Sequence, residues 1–156
     1  GKIIISPQFD DAESFSEGLA AVNAGGLPDK GGMVNGGKWG YIDTTGKYVI
    51  FPQFDDVGPF SEGLAEVKIG EKFGFIDPTG KIVVSPQFDQ VWPFSEGLAR
   101  VNIGKKYGFI DQAGKMIVSP QFDEAGDFSE GIAAVAIDLK LGYINRAGKF
   151  IWEPKK

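Results

Sequence analysis

Two carboxylates recur along this chain at fixed places. An aspartate closes each Pro-Gln-Phe-Asp, at Asp10, Asp55, Asp89 and Asp123, and a glutamate sits in each Phe-Ser-Glu-Gly, at Glu17, Glu62, Glu96 and Glu130. Oxygen ligands repeated in this way can hold calcium, and two carboxyl groups flanking a scissile bond are what a glycosidase uses. Calcium, however, asks for about six to eight oxygens, whereas each repeat offers one Asp and one Glu. A catalytic site is normally singular, so residues present in every copy are better explained by the fold of every copy. These carboxylates are read as acceptors for turn backbone, and no metal site, catalytic residue or cofactor is expected. Histidine and cysteine are absent. The commonest general base, the thiolate metal ligands and a disulfide framework go with them, while the compartment stays open.

Aromatic side chains act by stacking rather than by reaction, and they are the serious candidates for binding. Trp39, Tyr41, Phe73, Phe75, Tyr107, Phe109 and Tyr143 recur on one strand parity. Such a row can stack on sugars or anchor a protein partner, although aromatics at strand spacing serve first as core because their apolar area counts most when buried. The four phenylalanines of Phe-Ser-Glu-Gly, at 15, 60, 94 and 128, are expected in the core. Local function is expected where the copies disagree. That singles out Trp92, whose counterparts are taken as Ser14, Gly58 and Gly126, together with Trp152 and a glycine-rich insertion at 24–37. Trp92, Trp39, Tyr41, Tyr107 and Trp152 are therefore the candidate binding residues. For Trp92, local packing beside Pro93 competes with a role as an exposed anchor.

The elements that must position these residues repeat with them. Both words begin 45, 34 and 34 residues apart along the chain. This divides a single repeat domain, 1–156, into units 1–45, 46–79, 80–113 and 114–147 with a partial fifth at 148–156. Period-two patterning and short β-branched segments bounded by Gly, Pro and Asp predict three strands per unit. In the third unit the first strand is Lys81 to Ser85, closed by Pro86, which lacks the N–H a ladder needs. The second runs from Leu98 to Ile103, with Ala99, Val101 and Ile103 toward the core. Arg100 and Asn102, like Glu66 and Lys68 or Ala134 and Ala136 elsewhere, are placed toward solvent. The third is Lys106 to Ile110, where mid-strand Gly108 predicts that a large side chain lies over the backbone. A turn such as Asp77-Pro78-Thr79-Gly80 follows each third strand. Pro93 and its relatives exclude a long helix between the two repeated words. The insertion reads as an enlarged, flexible hairpin loop.

Composition limits the functional classes. With 42% apolar residues the chain can build a core, and its apolar runs fall far short of a membrane-spanning helix. A formal charge of −5 is the wrong sign for holding a phosphate backbone, so nucleic acid is not an expected partner. The opening Gly1-Lys2 suggests a piece of a longer protein.

Lys38-Trp39-Gly40-Tyr41-Ile42-Asp43, Gly46-Lys47, Pro52-Gln53-Phe54-Asp55 and Phe60-Ser61-Glu62-Gly63-Leu64-Ala65 together resemble the WG, or KWG, repeat of many bacterial proteins. The name-giving Trp-Gly occurs at Trp39-Gly40 and is Phe73-Gly74, Tyr107-Gly108 and Leu141-Gly142 in the other copies. The resemblance implies a β-repeat module, often extracytoplasmic or part of a multidomain protein, and brings no catalytic residues. Units this short bury their faces only by packing on neighbours. The expected fold is all-β: a tandem array of short antiparallel three-stranded units in an open, solenoid-like arrangement, with a small β-propeller or closed barrel as the alternative. The expected function is a non-catalytic scaffold for protein–protein interaction, with glycan binding by exposed aromatics as the alternative. Because units depend on neighbours, deleting 114–153 should lower the melting temperature of the remainder, and unchanged melting would contradict an array.

Overall fold

The computed structural model describes residues 3–28, 30 and 34–152, and among these it contains strands and turns but no helix. Sixteen strands form four antiparallel sheets of four, each a simple meander in chain order. The first sheet holds β1 (Asp11–Ala12), β2 (Leu19–Pro28), β3 (Val34–Asp43) and β4 (Tyr48–Phe54). The second holds β5 (Asp56–Val57), β6 (Ala65–Ile69), β7 (Lys72–Ile76) and β8 (Ile82–Phe88). The third holds β9 (Gln90–Val91), β10 (Leu98–Ile103), β11 (Lys106–Asp111) and β12 (Met116–Phe122). The fourth holds β13 (Glu124–Ala125), β14 (Ile132–Ile137), β15 (Lys140–Asn145) and β16 (Phe150–Trp152).

The fold is all-β, tandem and open, as expected, with none of the sheets closed into a barrel. Three strands per unit is corrected to four. The missed strand is the two-residue piece after Pro-Gln-Phe-Asp, too short to show a period of its own. In the third sheet it is held by Gln90↔Asn102 and Val91↔Val101 pairing, with Asp89 N–H donating to Asn102 O and Trp92 N–H to Arg100 O on either side.

Proline also fails to close the outer strand. β8 runs through Pro86 because it lies at the sheet edge, where one missing N–H breaks no ladder, and because the register slips there. That slip explains the glycine of the third strand. A Cβ at Gly40, Gly74 or Gly108 would stand 2.4, 2.3 or 2.4 Å from the carbonyl oxygen of Ile50, Val84 or Val118. What lies over each glycine is thus the backbone of the outer strand, not the large side chain expected from the sequence.

Turn chemistry follows the residue types. Asp77 Oδ1 accepts from Thr79 N (2.9 Å), Thr79 Oγ1 (2.6 Å) and Lys81 N (3.1 Å), and Asn145 accepts in the same way from Ala147 N and Lys149 N, both at 3.0 Å. The Ser-Glu-Gly turn places two successive residues in the left-handed region, Glu96 at φ 53° and Gly97 at φ 76°. A two-residue hairpin favours that geometry because it matches strand twist.

The hydrophobic core lies between consecutive sheets. Tyr41, Ile50 and Phe54 of the first sheet meet Val57, Phe60, Val67 and Ile76 of the second, and the second and third, then third and fourth, repeat the arrangement. Interior sheets are consequently covered on both faces. Asn102 and Ala136, placed toward solvent by alternation, are buried along with Leu98. Ile103, expected in the core, is exposed at the hairpin end of its strand. Phe60, Phe94 and Phe128 are core residues, but Phe15 is 45% exposed, with no sheet packed over it among the described residues.

The insertion extends a hairpin rather than loosening it. β2 and β3 continue through Gly26↔Gly36, Leu27↔Asn35 and Pro28↔Val34 after an irregularity at Gly25 and Gly37, both with positive φ. Residues 29 and 31–33 of that insertion lie outside the described residues. Among the described residues, no helix is long and apolar enough to cross a membrane. Since the Gly108 contact is with backbone that has no way to rotate aside, Gly108→Val should cost about 1–3 kcal/mol or more, read as a fall in melting temperature. A variant that melts with the parent would contradict the close strand approach.

Candidate functional site

The repeated carboxylates are engaged where one sheet meets the next. Asp55, between β4 and β5, takes the Lys38 ammonium of the first sheet on one oxygen and the Gly70 N–H of the second sheet's hairpin on the other (2.7 Å). Asp89 joins Lys72 (2.5 Å) to Gly104 N (2.8 Å), and Asp123 joins Lys106 (2.6 Å) to Asp138 N (2.8 Å). The lysine contact, followed by the backbone N–H, holds each of these three carboxyls below its ordinary range.

The Phe-Ser-Glu-Gly word makes a second set of bonds across the same joints. Ser16, Ser61 and Ser95 donate from Oγ to the carbonyl of Phe60, Phe94 and Phe128 in the following sheet at 2.7, 2.9 and 2.8 Å. Glu17, Glu62 and Glu96 accept at Oε2 from the N–H of Gly63, Gly97 and Gly131 at 2.9, 2.8 and 2.8 Å. These atoms satisfy backbone groups at tight turns, so their recurrence follows from that of the joint. Among the described residues no group of three or more acidic side chains is placed to hold a metal ion.

The five aromatic candidates do not converge on one site. Tyr41 is 1% exposed, lies edge-on to Phe60 and donates its hydroxyl to Gly58 O at 2.8 Å. Burial, with Glu66 nearby, drives its phenol upward. Trp39 is half-buried against the core shared by the first two sheets. Trp92 and Tyr107 are brought together, ring centroids 5.5 Å apart, with the Arg100 guanidinium 4.0 Å above the Trp92 ring. One face of Trp92 is thus occupied from within the chain. Trp152 is 51% exposed and 6.2 Å from Tyr143.

Backbone register refines the comparison between copies. The N–H of Trp92 donates to Arg100 O as Gly58 does to Glu66, Gly126 to Ala134 and Glu13 to Ala21, so the first-sheet counterpart of Trp92 is Glu13 rather than Ser14. The position that differs most is therefore a cross-strand pair, Trp92/Arg100 in the third sheet and Gly58/Glu66 in the second. Arg100 donates from Nη1 to Ala125 O and approaches Asp127 at 3.4 Å, both in the fourth sheet. Glu66 folds over Gly58, where a Cβ would lie 2.2 Å from its Oε1, and its Oε2 is buried without a partner among the described residues. Alternation had assigned both to solvent; the signal available in the sequence was the charge reversal between copies.

Reading the outer strands as the first of each unit also hid an outward apolar stripe. Val49 and Phe51 on β4, Val83 on β8 and Ile151 on β16 are exposed on the parity opposite the core, Phe51 at 70%, whereas exposed Ile82 and Trp152 share the core parity. The visible signal was apolar residues on both parities, as in Val49-Ile50-Phe51 and Ile82-Val83-Val84, where one parity suffices for the core.

Burial, then the charges of Glu13 and Asp56, push the Glu66 carboxyl up to about 7. The folded chain therefore binds a proton more readily than the unfolded chain, and stability falls as pH rises from the unfolded value near 4.5 toward 7. Asp55, Asp89 and Asp123 act in the opposite sense, their contribution being lost as pH drops through their lowered values. Glu66→Gln should remove the decline between pH 5 and 8 without altering the loss below pH 4, as read by melting temperature across pH; parallel profiles for variant and parent would refute the assignment.

The comparison with protein families agrees with this organisation. A family model described as WG containing repeat matches residues 1–27, 39–73, 73–107 and 107–138. No curated protein matches the chain. The last three matches each open at the aromatic that precedes a strand glycine, Trp39, Phe73 or Tyr107, and in these three copies that glycine receives the outer strand. With four tandem matches spanning most of its length, the chain belongs to the WG-repeat family.

Proposed function

We propose that this β-repeat module is a non-catalytic scaffold that binds a protein partner along the outer strands. The observation that supports this reading is the row of exposed apolar side chains on β4, β8 and β16, headed by Phe51. Core alternation accounts for Ile50 and Val84 on these strands but not for Val49, Phe51 or Val83 on the opposite parity. Apolar residues kept together at the surface mark an interaction face. Pro52 and Pro86 interrupt the free edges of β4 and β8, so recognition there proceeds through side chains rather than by addition of a partner strand. Among the described residues the recurring carboxylates other than Glu130 accept backbone N–H groups at turns and joints, which supports a structural use for them.

A second reading, glycan binding, is favoured by Trp152 and Tyr143, exposed side by side in the fourth sheet. One set of variants separates the two. Val49→Ser/Phe51→Ser combined with Val83→Ser should stay folded yet lose about tenfold or more in affinity for a cross-linked protein partner. Undiminished capture by that variant, with glycan-array signal abolished by Trp152→Ala, would replace the scaffold reading with the second.

A further inference from the structure

The joint between the second and third sheets contains an acid where the next joint contains a cation. Glu66 on β6 stands directly opposite Phe75 on β7, and side chains so paired share a face of the sheet. Phe75 belongs to the core shared with Phe94 and Ala99 of the third sheet, so Glu66 lies on the side of its sheet that meets the third. It fits there because Gly58 has no side chain: a Cβ at Gly58 would stand 2.2 Å from Glu66 Oε1 and 2.3 Å from its Cδ. Its Oε2 is buried with no hydrogen-bond partner among the described residues.

The charged groups around this carboxyl do not compensate it. Glu13 of the first sheet and Asp56 of β5 both act on it as like charges. Lys68, two residues along β6, holds its ammonium 5.4 Å from the centroid of the Phe73 ring, and the Tyr41 hydroxyl is committed to Gly58 O at 2.8 Å. Across the joint the third sheet offers Val91, Phe94, Ala99 and Val101, which carry no charge. In the next joint Arg100 takes the equivalent place, stacks on Trp92, donates to Ala125 O and approaches Asp127 at 3.4 Å. The first joint has buried Ala21 there. The rest of the polar bonding is the same in kind: Ser61 to Phe94 O and Glu62 to Gly97 N–H in one joint, Ser95 to Phe128 O and Glu96 to Gly131 N–H in the next.

We propose that Glu66 makes the joint between the second and third sheets a pH-sensitive hinge, shut while its carboxyl is neutral and opening when it ionises. A neutral acid tolerates this site, whereas a carboxylate held there without a donor loses its hydration and gains nothing in return. Ionised Glu66 therefore leaves Gly58 for solvent. The first two sheets then part from the last two about Asp89, where β8 passes into β9. The carboxyl gains its charge as pH rises through about 7, so the hinge is shut below that pH and opens above it. Arg100 stays charged across the whole range and keeps the third and fourth sheets together. The hinge is independent of partner binding by the outer strands, since Val49, Phe51 and Val83 lie on β4 and β8 rather than on β6.

Amide hydrogen exchange of the full chain, followed by NMR at pH 5.5 and pH 8 and corrected for intrinsic rates, reads each joint separately. Gly63, Gly97 and Gly131 report on the first, second and third joints through the glutamate that each N–H reaches. Protection at Gly97 should fall about tenfold or more between the two pH values, while Gly63 and Gly131 keep theirs. Glu66→Gln, neutral at both, should leave Gly97 protected at pH 8. Arg100→Met should lower protection at Gly131 at both pH values without altering the pH response of Gly97. An equal loss at all three glycines would mean global unfolding and overturn the hinge. So would a loss at Gly63 in place of Gly97, an unchanged Gly97, or a Glu66→Gln chain that follows the parent.

Discussion

The ring of a Phe-Ser-Glu-Gly phenylalanine set edge-on against the aromatic two residues before the Asp or Asn turn of the preceding sheet is the contact on which this molecule depends. Burying such a side chain contributes about 1.5–3 kcal/mol, and the aromatic geometry adds about 0.5–1.5 kcal/mol. The cores lie between consecutive sheets, and the interior sheets carry buried apolar residues on both faces. The phenylalanine fixes the stacking register because its backbone carbonyl simultaneously accepts the preceding sheet's serine.

The polar part of the joint follows from the turn. A Ser-Glu-Gly hairpin with two successive left-handed residues turns its glycine N–H toward the neighbouring sheet, where an unpaired donor would be costly. The glutamate one unit earlier satisfies it, although that glutamate itself holds a backbone conformation that ordinary side chains adopt rarely. The arrangement is directional: each sheet gives side chains forward and receives them from behind. Among the described residues Phe15 has no sheet behind it and Tyr143 none in front, and both stand exposed while their equivalents are buried.

Individuality enters where the joint leaves room. At one cross-strand pair the second sheet sets Glu66 over Gly58, the third stacks Arg100 on Trp92, and the fourth has Gly126 with Ala134, beside a groove of about 170 Å³. The scaffold accepts an anion, a cation over an aromatic, or nothing large at the same backbone geometry. Arg100 ties the third sheet to the fourth through Ala125 and Asp127, whereas Glu66 leaves a carboxyl oxygen buried and unpaired. The joints are thus equivalent in geometry and unequal in electrostatics.

The sequence by itself determined that the chain is all-β, tandem and turned at Asp/Asn-x-x-Gly, because strand period, turn residues and repeat spacing are local properties written in consecutive residues. It also determined that the recurring carboxylates are structural, since a feature required in every copy belongs to the copy. It did not reveal the two-residue strand after Pro-Gln-Phe-Asp, which has no period to detect, nor what lies over Gly108, because that is backbone brought close by a register slip. The burial of Asn102 and Tyr41, the Arg100–Trp92 stack and the exposure of Phe51 were decided by tertiary structure alone. Alternation places a side chain on one face of a sheet or the other, and only the next sheet determines whether that face is wet.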